Sequence, residues 1–183
     1  LRVVMPSSPF DAKGLMAHAL RCQDPVLFLE HRELMSIKGP VPEIDYEIPF
    51  GQARIVRPGT DVTVVAISLM VHRTLEAADQ LAQRGVSVEV VDPRTVSPLD
   101  TETILKSVAK TGRLLVVDEA FGPCSVASEI AACVADQGFD DLDAPIKRLN
   151  GAFTPTPYAP SLETAVTPQT TNVVQAIQNL MAE

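Results

Sequence analysis

Tryptophan is absent, and aromatic residues make up only 4% of the 183-residue chain. A surface built to stack nucleobases is therefore not expected. Positive charge is scarce too. Fifteen Lys and Arg face 23 Asp and Glu, a net charge of −8. Such a chain is repelled by nucleic acid and by anionic membranes, and a basic protein partner suits it better. The three cysteines, Cys22, Cys124 and Cys133, are odd in number and show no C-x-x-C spacing. They read as free thiols in a reducing compartment, which points to the cytoplasm. No apolar run approaches the roughly 20 residues that span a bilayer, and no signal-peptide pattern is present. Phosphate-binding glycine loops, H-E-x-x-H and G-x-S-x-G are also missing, so the sequence offers no sign of a nucleotide-cradling loop, a zinc protease or a serine hydrolase.

What is present is an alternation of short β-branched runs and helical stretches. With 46% hydrophobic and 21% charged residues, the composition is that of a folded globular protein. Residues 2–5 read as a strand. Ser8-Pro9-Phe10-Asp11 reads as a helix start, with Ser8 as cap, Pro9 in the first turn and Asp11 reaching back to free backbone donors. That helix runs to about Leu20, and residues 26–29 form a second buried strand. From about 31 to 60 prolines and glycines accumulate, which predicts an extended linker with little regular structure.

From Asp61 the alternation is cleaner. The run 62–67 is apolar on both faces, as in a parallel sheet covered on both sides. A helix over 71–84 closes at Gly85. Strands are predicted at 86–91, 114–117 and 146–149. Helices are predicted from a second Ser-Pro-x-Asp start at 97–100 to Gly112, from 125 to 137, and after Thr167-Pro168. The segment 155–160 reads as a loop. The alternation predicts a doubly wound, mostly parallel α/β domain over 61–183. Residues 1–30 supply only a strand–helix–strand fragment. Two strands do not make a stable sheet, so further strands are expected from outside this sequence. The opening on Leu1, already inside a strand, fits a cut within a fold.

Four segments carry a family resemblance. They are Met5-Pro6-Ser7-Ser8-Pro9-Phe10-Asp11-Ala12-Lys13-Gly14-Leu15, then Asp24-Pro25-Val26-Leu27-Phe28-Leu29-Glu30-His31. After these come Val91-Asp92-Pro93-Arg94-Thr95-Val96-Ser97-Pro98-Leu99-Asp100 and Lys110 through Ala120. In this order and spacing the chain resembles the β subunit of the thiamin-diphosphate-dependent decarboxylating component of 2-oxo acid dehydrogenase complexes. Asp118-Glu119-Ala120 with Cys124-Ser125 looks closer to acetoin dehydrogenase β subunits than to pyruvate or branched-chain ones.

The resemblance implies a transketolase C-terminal-like domain at 61–183, preceded by a remnant of the pyrimidine-binding domain. It implies oxidative decarboxylation with acyl transfer to lipoamide in the intact enzyme, using thiamin diphosphate and magnesium. It also implies an α subunit, a second β subunit in an α2β2 assembly, and a lipoyl-carrying acyltransferase core as partners. The family's thiamin-activating Glu and active-site His lie upstream of the segment matching Leu1, and the α subunit's Gly-Asp-Gly is absent. No catalytic, cofactor-binding or metal-binding residue is therefore expected here, and this chain alone is expected to be inactive and to bind no cofactor. A non-catalytic interaction module and the C-terminal part of a transketolase or deoxyxylulose-phosphate synthase are the alternatives.

Two sets of residues stand out. In open α/β sheets ligands gather beyond the carboxyl ends of the strands. Those ends carry Ser68 and His72, then Asp92 and Arg94, then Asp118 and Glu119. His72, Arg94, Asp118 and Glu119, with His31 after the second strand, are candidates for a ligand or interface crevice. The plainer reading is capping and salt bridging, with Asp92–Arg94 as a local pair and His31 as a linker residue. Asp136, Asp140, Asp141 and Asp143 form an acidic group at a helix end. It is either a solvated face or a docking patch for a basic domain of the lipoyl-carrying core. His18 is expected to be solvated. The turn Ala19–Asp24 matches a region that holds a monovalent cation in some family members, but Cys22 stands where an acidic residue is usual.

Overall fold

The computed structural model describes residues 1–183. Its strands form two sheets. A five-stranded sheet has the order β3-β5-β4-β7-β8, from Arg54–Arg57, Val88–Asp92, Val62–Ala66, Leu114–Phe121 and Lys147–Gly151. All pairs are parallel except β3–β5 at one edge. Every residue of β4 and β5 is buried. Period-two alternation sends neighbouring side chains to opposite faces. Val62, Val64, Val88, Val90, Leu115 and Val117 pack with helices α2 (Leu69–Ala82) and α6 (Thr170–Met181). Val65, Val91, Leu114 and Val116 pack with α3 (Thr101–Thr111) and α4 (Val126–Gln137). Helices on both faces of a mostly parallel sheet are the predicted doubly wound α/β architecture.

The second sheet is small, in the order β2-β1-β6, from Val26–Phe28, Arg2–Val4 and Thr95–Ser97. Its core is Val4, Leu15 and Ile48, with α1 (Pro9–Arg21) packed over it. Not all of its strands had to come from outside the sequence. β6 lies between β5 and α3 in the chain and pairs antiparallel with β1. β2 remains an edge strand, and Leu1, Leu20, Leu27 and Leu29 are exposed around it.

Several local readings are corrected. Ser8 caps α1 as predicted, accepting from the Asp11 amide at 3.1 Å. The second Ser-Pro-x-Asp behaves differently. Ser97 ends a strand, and the cap is Asp100, which accepts from the Thr103 amide at 3.0 Å and from its hydroxyl at 2.7 Å. A carboxylate on two donors outcompetes a serine already committed to a sheet. Between 31 and 60 the backbone is mostly irregular, yet it carries a 3₁₀ turn, Arg32–Ser36, and β3. The loop read over 155–160 holds as far as Ala159, and an unforeseen short helix, α5, follows at Pro160–Val166. α6 starts at Thr170, because Gln169 and Asn172 form a reciprocal capping box. No helix is long and apolar enough to cross a membrane.

Candidate functional site

In the large sheet α2 leaves β4 on one face and α4 leaves β7 on the other. The strand order therefore reverses between β4 and β7, and a crevice opens at their carboxyl ends. Ser68 follows β4, and Asp118 and Glu119 lie in the last half of β7. Ser68 has φ 53° and ψ −117°, and its buried hydroxyl has no partner. Such a backbone costs on the order of 1–3 kcal/mol and persists only where the surroundings impose it.

The crevice is spanned by the chain's own N-terminal segment. Met5 N–H donates to the Arg94 carbonyl at 2.8 Å. His72, in the first turn of α2, contacts the Ser7 carbonyl through Nε2 at 2.7 Å, so this nitrogen carries the proton. The Ser7 hydroxyl bonds Asp92, which is fully buried at the end of β5. At the other end of the crevice, His31 Nε2 meets Glu119 Oε2 at 2.9 Å. The 3₁₀ turn after His31 is tied to α2 by Arg73–Glu33 at 3.8 Å, and its Leu34 packs on the large core. An open cavity of about 220 Å³ lies within the strap itself, lined by Ser7, Ser8, His31, Leu34 and Met35 among others.

Asp92 and Arg94 do not form a side-chain pair. The Arg94 amide, held at φ 58°, donates to Asp92 at 2.9 Å. The guanidinium reaches instead across the junction to Asp11 on α1, at 2.8 Å. Arg54 from β3 approaches the same carboxylate at 3.9 Å. Asp11 does not reach back to free backbone donors as expected: Ser8 is the cap, the Asp11 carboxylate accepts from the Ser8 hydroxyl, and its role in bridging the two sheets was hidden. No local signal couples residue 11 to residue 94.

Electrostatics follow from burial. Burial pushes Asp92 up to about 6, against the Ser7 and Arg94 bonds that favour its anion. Burial likewise raises Asp118, whose carboxylate accepts from the Ala120 amide at 3.1 Å. His31 is raised chiefly by its hydrogen bond to Glu119, which outweighs the opposing burial.

The crevice candidates thus divide into two groups. His31 and Glu119 touch one another. His72 and Arg94 are joined through the Ser7–Asp92 contact and the turn that follows β5. Asp118 stands beside Glu119 and bonds only backbone. Asp136, Asp140, Asp141 and Asp143 are all exposed and form no ion pair, next to an exposed Phe139. His18 is not simply solvated, since it meets Glu47 at 3.0 Å and packs edge-on against Phe50. Asp24 is occupied by Arg2 at 2.7 Å. No group of three or more His, Cys, Asp or Glu could hold a metal ion.

A doubly wound sheet with this strand order, with an N-terminal strap over its switch point, defines a recognisable class. Residues 51–173 match the transketolase C-terminal domain, and the chain belongs to that family. Among solved structures, a split-gene transketolase described as an inactive β4 tetramer superposes over 99% of this chain and 57% of its own, with TM-score 0.75 and 24% identity. That likeness confirms the fold.

Within the family, the sequence is similar to dehydrogenase β subunits, as the four segments implied. It is 50% identical over 181 residues to the acetoin:2,6-dichlorophenolindophenol oxidoreductase subunit beta of Cupriavidus necator, covering 99% of this chain and 54% of the relative. It is also 50% identical over 165 residues to the 2-oxoisovalerate dehydrogenase subunit beta of Bacillus subtilis, covering 89% and 50%. A pyruvate dehydrogenase E1 component subunit beta of Rickettsia conorii is 44% identical over 180 residues. The chain spans about half the length of the curated relatives it matches.

Proposed function

We propose that this chain is part of the β subunit of a thiamin-diphosphate-dependent dehydrogenase acting on acetoin or a 2-oxo acid. One observation carries the reading. Half the residues are identical to an acetoin oxidoreductase β subunit across 99% of the chain. The equal identity to a 2-oxoisovalerate dehydrogenase β subunit leaves acetoin and branched 2-oxo acids as parallel substrate readings.

The residues present do not fit a metal diphosphate. No carboxylate cluster suits magnesium, and the buried Asp11 and Asp92 are already engaged by Arg94, Ser8 and Ser7. The chain's contribution is therefore assembly. Exposed Leu20, Leu27 and Leu29 around the β2 edge give the rest of a β subunit an apolar surface to cover. An α subunit and a second β subunit complete the α2β2 enzyme, in the cytoplasm. The unpaired Asp136, Asp140, Asp141 and Asp143 suit docking of a basic domain of the lipoyl-carrying core.

The test combines this chain with the amino-terminal half of a related β subunit and the matching α subunit. Acetoin- or 2-oxo-acid-dependent dye reduction should appear only when all three are present with thiamin diphosphate and magnesium. Failure of the three to associate, with no reduction of the dye, would overturn the assignment.

A further inference from the structure

We propose that the N-terminal segment, residues 1–37, is held across the carboxyl edge of the large sheet by a proton-gated clasp. Ser7–Asp92 and Asp11–Arg94 form one end and His31–Glu119 the other, and the clasp slackens as pH rises.

The argument begins with counting charges. The junction buries two carboxylates almost completely, with side-chain exposure of 1% for Asp11 and a relative exposure of 0% for Asp92. It buries one cation, Arg94, whose guanidinium is spent on Asp11. Arg54 lies opposite Asp92 in the β3–β5 ladder, but its side chain is about half exposed and reaches only Asp11. His72 from α2 faces Ser7 and contacts its carbonyl, not Asp92. With Arg54 half in water, the closed junction holds one negative charge more than its buried cations. Water cannot reach that charge, and a proton on Asp92 is the readiest relief. Lifting the segment away hydrates Asp92 and removes the conflict.

The second end works in the same sense. His31 faces Glu119 from β7, Glu33 from its own turn and Arg73 from α2, and the two carboxylates outweigh the arginine. The His31–Glu119 contact is an ion pair only while the imidazole is protonated.

The signs agree. Asp92 has a closed-state value near 6 against 3.8 for the ordinary group, so closing takes up a proton and is favoured at low pH. Its contribution is lost as pH rises through that window. His31 is raised above 6.5 when closed, so its contribution is complete below 6.5 and is lost as pH rises through the closed-state value. The adjoining main-chain bond from Met5 N–H to the Arg94 carbonyl joins the segment to the rest of the chain and reports closure directly, whereas Leu29 N–H to Val4 lies within the segment.

Hydrogen exchange on the full chain tests the clasp. After correction for intrinsic rates, the opening equilibrium at Met5 should rise roughly tenfold between pH 5 and pH 7 from Asp92 alone. Amides of β4 in the same sample should show no such rise. Asp92→Asn should abolish the dependence below pH 6.5, and Glu119→Gln should remove what remains above it. Equal pH dependence in β4 and the segment would overturn the proposal, as would an undiminished slope at Met5 below pH 6.5 in Asp92→Asn or above it in Glu119→Gln. Should a variant fold poorly, Ser7→Ala decides the matter: it removes a donor that favours the Asp92 anion, so the pH window at Met5 should move upward, and an unmoved window would overturn the clasp. Segment protection that does not change from pH 5 to 8 refutes the clasp regardless of the variants.

Discussion

Gly151, the last residue of β8, sits where the backbone of β7 leaves no room for a side chain. A Cβ there would lie 2.2 Å from the Glu119 carbonyl oxygen and 3.4 Å from that of Val166. Ordinary carbon–oxygen contacts begin at about 3.3 Å, so alanine at 151 must push the two strands apart by about 1 Å. The ladder cannot absorb this evenly, because its register already shifts between Asp118 and Phe121, where Phe121 meets Gly151. Overpacking of this kind costs about 1–3 kcal/mol. The displaced residue is Glu119, so the His31 contact at 2.9 Å should stretch as well. That pair is partly exposed and contributes about 0.5 kcal/mol at most. Gly151→Ala should therefore lower urea-unfolding stability by about 2 kcal/mol, within the range just given. In an NMR titration it should return His31 toward its ordinary value of 6.5. Unchanged stability with an unchanged His31 titration would refute the argument that close strand approach positions Glu119.

Two further predictions concern buried polar contacts. Glu89 is fully buried and bonds Ser107 at 2.5 Å, the Gly59 amide at 3.2 Å and Lys110. Lys110→Met should cost about 1–2 kcal/mol, discounted because the lysine is nearly half exposed. A cycle with Glu89→Gln should show coupling well beyond about 0.5 kcal/mol, and additive losses would exclude the pair. Asp100 is held below the usual carboxylate range: its bonds to Thr103 and the Ala53 amide outweigh an opposing burial. Its contribution is present above pH 3.8 and is lost as pH falls through the lower folded value. Asp100→Ala should cost about 1 kcal/mol at pH 7 and less in acid, read from thermal or urea unfolding under both conditions.

The large sheet was legible because its signals are local. Val62–Ala66 is apolar but for Thr63, Gly112 stops α3 in the left-handed conformation, and Ser8 with Pro9 starts α1. What escaped depends on long-range pairing. β3 and β6 are short, and each is a strand only because β5 or β1 offers it a partner. The Ser97-Pro98 pair carries the same local code as Ser8-Pro9, but tertiary pairing decides its state. The site shows the same split. The helix-start position of His72 was readable, while Asp118 and Glu119, read at the end of a strand over 114–117, lie inside β7, which runs on to Phe121. The partners of Arg94 and His31 lie 83 and 88 residues away in sequence, beyond any spacing rule.

The two sheets differ in how they are secured, and this difference explains why the clasp matters. The large sheet is held from both faces by 18 and 10 buried residues, so single contacts at its edge change little in its persistence. The small sheet has three, Val4, Leu15 and Ile48. So small a core buries too little apolar surface to offset the ordering of α1 and three strands by itself. Its order must come from β6, which belongs to the turn between β5 and α3, and from the polar contacts at Asp11, Asp92 and His31. Contacts that carry so large a share of a unit's stability also control its opening. Local opening should therefore begin at residues 1–37, with the large sheet intact. Any covering chain that docks on β2 adds apolar burial to this weak unit. It should raise protection at Met5 and Leu29 while leaving β4 unchanged.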